Sequence, residues 1–90
     1  GKVVTISVAG RFDFAMHRQF MLAYQEHPRG ERSFVVDLER AEYMDSSALG
    51  MLLQLRDYAQ QTDGVRLVNA NHGIQEILRI ANFDKLFEVA

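Results

Sequence analysis

A regular alternation of strand-like and helix-like segments constrains the fold of this chain most. Apolar, β-branched segments of the strand type occupy residues 3–9, 33–38 and 65–69, and a short one occupies 86–89. In the intervening segments apolar residues recur every three or four positions, as on one face of a helix. This order predicts an α/β fold of βαβ units, in which helices pack on a mainly parallel or mixed sheet of four to five strands. We expect helices on both faces of the sheet, and a loop over 39–44.

Polar residues mark where the predicted helices begin and end. Asp13 is a candidate N-cap for the first helix, and Asp45 is one for the second helix. The second helix is expected to end near Thr62, before an Asp-Gly pair. Asn71 is the candidate N-cap of the third helix, and Asn82 is expected to follow that helix in the left-handed conformation.

The composition narrows the class of function. Ninety residues form one small domain over 1–90, with no room for two independent cores. Ten basic and twelve acidic residues give a formal charge of −2, so the basic surface typical of nucleic-acid binding is absent. The chain has no cysteine and no apolar run near the roughly 18–20 residues of a membrane span. We therefore expect a cytoplasmic domain that binds neither nucleic acid nor membrane directly.

The second helix divides into two stripes when its residues are placed at about 100° intervals. With Asp45 as the N-cap, its carboxylate is expected to accept a hydrogen bond from the amide of Ser47 or Ala48. An apolar stripe is predicted to face the core: Ala48, Leu52, Leu55 and Ala59, joined by Leu49 and Leu53. The opposite stripe is small or polar, with Met51 and Tyr58 on its border: Ser47, Gly50, Gln54, Asp57 and Gln61.

The first turn of this helix is suited to phosphorylation. Ser47 is predicted to point to solvent, whereas Ser46 lies about 100° around the helix, nearer the backbone of the turn. The free amides and the positive helix end stabilise an added phosphate by roughly 0.3–1 kcal/mol at exposed sites. The alternative is that Asp-Ser-Ser only caps the helix. Gly50 favours a further role, because a helical glycine costs about 1 kcal/mol relative to alanine and usually has a reason, of which close approach of a partner or of a neighbouring backbone is one.

The residues around this helix resemble the signature of STAS domains, and most of all the bacterial anti-sigma factor antagonists. The resemblance rests on Val36–Leu38, a short loop with an aromatic residue, and then Met44–Gly50. Gly10–Asp13 resembles the Gly-x-Leu-Asp entry to the family's first helix, and Asn71 begins a segment similar to its third helix. The resemblance covers nearly the whole chain, although Ala48 stands where the family usually has glycine. Against the family pattern, an edge strand and a final helix are expected to be absent or cut.

The resemblance implies a non-catalytic regulatory domain. The family's phosphorylated position corresponds to Ser47, with Ser46 as the second choice, and Asp45 orients the helix. The unphosphorylated form is expected to bind an anti-sigma factor, which in some relatives is itself the serine kinase, and so to release a sigma factor. Phosphorylation is expected to end that binding, and a serine phosphatase is expected to restore it. The predicted partner surface, which Tyr43 could extend, comprises Met44, Ser46, Ser47, Gly50, Met51, Gln54 and Tyr58.

Other functions find less support in the sequence. A hydrolase built on the serines after Asp45 lacks a Gly-x-Ser-x-Gly elbow and a base in a known geometry. The histidines are not spaced with carboxylates as a metal site requires, and no phosphate-binding loop is present. No catalytic residue, metal or cofactor is therefore predicted. The alternative is a STAS scaffold or sensor module in a signalling complex without sigma-factor control, and phosphorylation of Ser47 in cells distinguishes the two.

Overall fold

The computed structural model describes residues 3–60 and 64–90, and over these residues four strands alternate with three α-helices. All four strands are parallel and are hydrogen-bonded in the order of the chain. This arrangement confirms the predicted α/β fold with a parallel sheet. The elements are β1 (Val3–Phe12), α1 (His17–Gln25), β2 (Ser33–Met44), α2 (Ser46–Ala59), β3 (Val65–Val68), α3 (His72–Ile80) and β4 (Glu88–Val89).

The helices cover one face of the sheet only. Because the strand order follows the chain order, every right-handed crossover steps in the same direction and places its helix on the same side. Burial alternates accordingly along β1, where Ile6 and Val8 are buried and Thr5 and Ser7 are exposed. The expectation of helices on both faces is therefore wrong. Buried and exposed residues alternate in β1 as they do in antiparallel sheets with one solvent-exposed face, because the short polar side chains of Thr5 and Ser7 lie on the uncovered side.

Strands β1 and β2 continue beyond the rest of the sheet as a two-stranded ribbon. β3 pairs with β2 over residues 34–37 only, whereas β1 and β2 stay paired as far as Phe12 and Met44. Two register shifts interrupt this ladder, one of them beside Gly10, whose φ of 76° suits glycine. The predicted loop over 39–44 is thus wrong. Its polar residues are exposed on a strand that pairs with β1 from Ser33 to Met44, apart from the two register shifts.

The core lies between the helices and the covered face of the sheet. The predicted apolar stripe of α2 is buried at Ala48, Leu52, Leu55 and Ala59, and Leu49 is partly buried. The prediction that Leu53 also faces the core is wrong, because Leu53 is exposed.

Leu53 is 41% exposed. It lies one position beyond the buried Leu52 and so turns away from the sheet, towards the side on which α1 packs. The position of Leu53 bears on the site described below.

Helix ends follow the predicted polar residues, with shifts of a few positions. Asp13 caps a 3₁₀ turn, Phe14–Met16, which leads into α1. The α2 helix ends at Ala59 rather than near Thr62, because Gln60 adopts a left-handed conformation with φ of 55°. The predicted end at Thr62, like Gln61 of the polar stripe, lies outside the described residues.

The third helix has the predicted boundaries. The Asn71 side chain accepts a hydrogen bond from the amide of Ile74 at 2.9 Å, and Asn82 follows the helix with φ of 60°. The last strand is shorter than predicted, because only Glu88–Val89 pairs with β3.

Candidate functional site

The first turn of α2 is held by its predicted cap. Asp45 has extended backbone angles, and its Oδ1 atom accepts a hydrogen bond from the amide of Ala48 at 3.1 Å. The amide of Asp45 donates to the carbonyl oxygen of Phe12 at 3.4 Å, which fastens the start of α2 to the end of β1. The helix start is therefore positioned by the sheet and capped by a carboxylate.

Two serines follow this cap and occupy different environments. Ser46 is exposed, whereas Ser47 is half-buried. The prediction that Ser47 is the more solvent-exposed of the two is therefore wrong. Within residues 3–60 and 64–90, neither hydroxyl has a hydrogen-bond partner. Neither hydroxyl is needed to cap α2, because the Asp45 side chain supplies the cap.

The structure divides the predicted partner surface into exposed and buried members. Gly50 and Gln54 are exposed, and Tyr58 is half-buried, with its hydroxyl donating to the carbonyl oxygen of His27 at 2.5 Å. Met44 and Met51 are only 2% and 3% exposed. Including these two methionines in a contact surface was wrong.

Their burial has a simple cause. Met44 faces the helices from the end of the ribbon. Met51 lies three positions after Ala48 and four before Leu55, which places it on the buried side of α2. Both methionines therefore belong to the hydrophobic core.

Packing among residues 3–60 and 64–90 does not require a glycine at position 50. A Cβ atom built at Gly50 meets no other atom within 4 Å. Its backbone is helical, so no positive φ demands glycine either. Glycine lowers the stability of a helix by about 1 kcal/mol relative to alanine. No contact among the described residues explains why α2 has a glycine here.

An open groove of about 550 Å³ runs between α1 and α2. Tyr24 forms its deepest described part, and burial raises the pKa of its phenol, with a smaller contribution from nearby Tyr58. At one end the Arg29 guanidinium pairs with the Asp57 carboxylate at 2.8 Å. Sequence reasoning missed this groove, although Leu53, Gln54 and Asp57 of its α2 wall are adjacent in the helical projection. The lining from α1 includes His17, Met21 and Tyr24.

Two exposed aromatic side chains stand near the first turn of α2. Phe14 is 67% exposed and stacks on the His17 ring, with 5.1 Å between the ring centroids. Tyr43, at the end of β2, is exposed, and the Arg11 guanidinium lies 4.4 Å from its ring centroid. Tyr43 was predicted to extend the partner surface, whereas Phe14 was not predicted to belong to it. The capped turn after Asp13, together with an aromatic residue, was the available signal for it.

Other chemistry is sparse in the part of the chain that the structure describes. No group of three or more histidine and acidic side chains in these ranges could hold a metal ion. The pKa of Asp37 is lowered by a hydrogen bond from the Glu39 amide and another from the Asn69 side chain, and Asp37 lies on the uncovered face of the sheet. No described helix is long and apolar enough to cross a membrane.

Comparison with known proteins points to one family. The family model described as "Mlab, STAS domain" matches residues 1–88. A STAS-domain containing protein of Pseudomonas aeruginosa (strain UCBPP-PA14) is 45% identical over 91 residues, which cover 100% of this chain and 90% of that protein.

Solved structures share the fold at low sequence identity. A sulfate transporter family protein from Wolinella succinogenes has a TM-score of 0.76 at 13% identity, over 97% of this chain and 76% of that one. The anti-sigma factor antagonist SpoIIAA in its unphosphorylated form has a TM-score of 0.63 at 21% identity, over 88% and 74%. The SulP transporter STAS domain from Vibrio cholerae has a TM-score of 0.72 at 18% identity, over 98% and 74%. At these identities the three structures show the fold alone.

Proposed function

This chain belongs to the STAS domain family, and we propose that it is a cytoplasmic anti-sigma factor antagonist controlled by phosphorylation. In this proposal the unphosphorylated protein binds an anti-sigma factor and releases a sigma factor. A serine kinase, which is either the anti-sigma factor or a separate protein, modifies Ser47 and ends the binding. A serine phosphatase restores it. The protein acts by binding, with no catalytic residue of its own.

The observation that carries the proposal is that Asp45, and neither of the serines after it, caps the first turn of α2. Asp45 caps the helix through its bond to the Ala48 amide, so the following serines are not needed for capping. This weakens the interpretation of Asp-Ser-Ser as a helix start only. Ser47 and Ser46 have hydroxyls without a partner among residues 3–60 and 64–90, at the positive end of a helix.

A phosphate on this turn changes the surface without a change of fold. It adds a charge of about −1.5 to −2, which the helix end and its free amides tolerate at the first turn. The neighbouring exposed residues Gly50 and Gln54 are uncharged. A partner that covers this surface in the unmodified protein would have to bury the new charge, and burial of an unpaired charge opposes binding strongly.

Modification of Ser47 is tested with paired substitutions. Ser47→Ala is expected to bind the partner constitutively, because it keeps the uncharged state, and Ser47→Asp is expected to weaken binding. Ser46→Ala is the matched control, since it removes the adjacent hydroxyl of the same turn. Mass spectrometry of the protein from cells is expected to find phosphate on Ser47 in the wild type and none in Ser47→Ala.

Three results decide the outcome. Phosphate on Ser46 and none on Ser47 would assign the phosphorylation site to Ser46. Absence of phosphate from both serines, together with normal partner binding by Ser47→Asp, contradicts the switch. An identified partner that has no effect on a sigma factor contradicts the antagonist role.

A second candidate is a scaffold or sensor module in a signalling complex. It is favoured by the similarity in fold to the STAS domains of transporters, which shows that the fold also occurs outside sigma-factor control. A scaffold is expected to keep its partners whether Ser47 is alanine or aspartate. Co-purification of both variants under identical conditions therefore separates the two candidates.

A further inference from the structure

We infer that the groove between α1 and α2 binds a neutral amphipathic helix of the partner protein. This inference rests on the proposed function, because it identifies the segment by which the proposed partner binds. It extends the contact surface from the first turn of α2 along the whole exposed side of that helix and onto α1. Of the groove lining, Gln54 and Tyr58 belong to the surface predicted from the sequence, whereas Leu53 and the residues of α1 do not.

The serine-bearing turn lies on the same side of α2 as the groove, whose α2 lining begins at Leu53. Leu53 and Gln54 line it, and Gly50 lies three and four positions before them, on the same side of the helix. Ser46 and Ser47 lie four and three positions before Gly50 and continue the same wall. From Ser46 to Tyr58 the wall is about 18 Å long at 1.5 Å per residue, which matches an occupant helix of about twelve residues.

The walls select a helix as the occupant. Both walls are α-helices, whose internal backbone amides and carbonyls are already paired within α1 and α2. An extended peptide in this groove would find no strand edge to pair with, and its own backbone groups would lose water without compensation. A helix satisfies its backbone internally and presents only side chains, as in other helix-in-groove complexes.

Gly50 fits the same occupant. Because a Cβ atom at Gly50 meets nothing within 4 Å, the space above this residue is open in the free protein. A helix laid along the wall could bring its backbone closer at Gly50 than at any residue with a side chain. A helix-weakening glycine thus has a reason in a complex that it lacks in the free chain.

Charge indicates a neutral contact face on the occupant. The charged side chains of the groove are Arg29 and Asp57, and they pair with each other at 2.8 Å. The His17 ring also lines the groove, and the Phe14 ring stacks on it. The apolar contacts offered are the partly buried Met21 and the exposed Leu53. Recognition by apolar contact depends little on salt, unlike recognition by a charged surface.

The inference is tested with substitutions on the groove wall in the full chain that carries Ser47→Ala. Leu53→Arg is expected to weaken binding of the purified partner by about 30-fold, the size of an interface hot spot. Gly50→Leu is expected to weaken it similarly, by filling the open space without disturbing the fold. Ile80→Arg on α3 is the matched control, because Ile80 is a helical residue 71% exposed and remote from the groove lining, and its affinity is expected within about twofold.

Two further measurements identify the occupant. A photo-crosslinking amino acid at position 53, introduced in cells, is expected to form an adduct that maps to a helical segment of the partner, whereas position 80 is expected to form none. Partner affinity is expected to change less than about threefold between about 0.05 and 0.5 M salt.

The outcomes separate this inference from the proposed function. Wild-type affinity in both Leu53→Arg and Gly50→Leu, no adduct at position 53, or an adduct with an extended segment each overturns the groove. If Ser47→Asp ends binding in that case, the phosphorylation switch still stands. Conversely, loss of binding in Leu53→Arg with normal binding in Ser47→Asp supports the groove and contradicts the switch.

Discussion

The helices α2 and α3 begin in the same way, yet the first turn of α2 carries two serine hydroxyls without a partner among residues 3–60 and 64–90. Each has an extended N-cap residue whose side chain accepts a hydrogen bond from the amide three residues on, Asp45 from Ala48 at 3.1 Å and Asn71 from Ile74 at 2.9 Å. The Asn71 side chain also donates to the carbonyl oxygen of Ala41 at 3.2 Å. The start of α3 is thus tied to the ribbon by the capping side chain itself.

The difference shows which part of a helix start points to function. Capping is a structural requirement that both helices meet, so a cap by itself is uninformative about function. In α2 the turn after the cap keeps two serine hydroxyls without a partner in the described chain, and a glycine in open space. In α3 the glycine lies nearer the cap: Gly73 stands where α2 has Ser47, and the Asn71 Oδ1 atom lies 3.4 Å from the position of its missing Cβ.

The largest expected difference concerns the caps. Asn71→Ala is expected to lower the free energy of unfolding by about 2 kcal/mol, because it loses the cap and the hydrogen bond to Ala41. Asp45→Ala loses the cap only and is expected to lower it by about 1 kcal/mol. Urea unfolding followed by circular dichroism measures both. A larger loss in Asp45→Ala would show that the start of α2 is the more firmly built of the two.

A smaller difference is expected at the glycines. Gly50→Ala is expected to raise the free energy of unfolding by about 0.5–1 kcal/mol, since the new methyl group meets no atom and alanine favours the helix. Gly73→Ala is expected to gain less, because its methyl group would contact the capping oxygen of Asn71. The same urea experiment compares the two variants. Equal gains would remove the distinction between a glycine in open space and a glycine beside a capping side chain.

The smallest expected effect is a pH dependence within α3. The Arg79 side chain donates to the Glu76 carboxylate at 3.0 Å, and this bond and the positive charge hold the pKa of Glu76 below its ordinary value of 4.5. The charged form is favoured in the folded state, so its contribution is complete above pH 4.5 and is lost as the pH falls through the lowered pKa. Because both side chains are exposed, the change in stability is expected to be slight.

An NMR titration of the Glu76 carboxyl carbon measures this pKa, and Arg79→Gln is the matched control that should return it towards the ordinary value. An unchanged pKa in Arg79→Gln would show that the ion pair does not form in solution.

Local patterns in the sequence were sufficient for the elements and their caps. Asp45, Asn71 and Asn82 were predicted from residue type and position, because an N-cap or a left-handed residue depends on atoms only a few positions away. The buried stripe of α2 followed from helical periodicity for the same reason. The parallel order of the sheet followed from the alternation of elements along the chain.

Contacts between distant segments were not predictable in this way. The polar stretch 39–44 forms a strand because β1 pairs with it, with register shifts that local composition does not show. Met44 and Met51 were assigned to the surface and are buried, whereas Leu53 was assigned to the core and is exposed. A helical projection gives angles around one helix, but the position of its neighbours decides which angles are covered.

The amino-acid sequence by itself determined the α/β alternation, the capped start of α2 and the two serines that follow it, because each depends on short-range hydrogen bonds and periodicity. Only the tertiary structure decided that the helices share one face, that Gly50 stands in open space and that α1 and α2 enclose a groove. These features depend on how far apart packed elements lie, a distance set by side chains that are remote from one another in the chain.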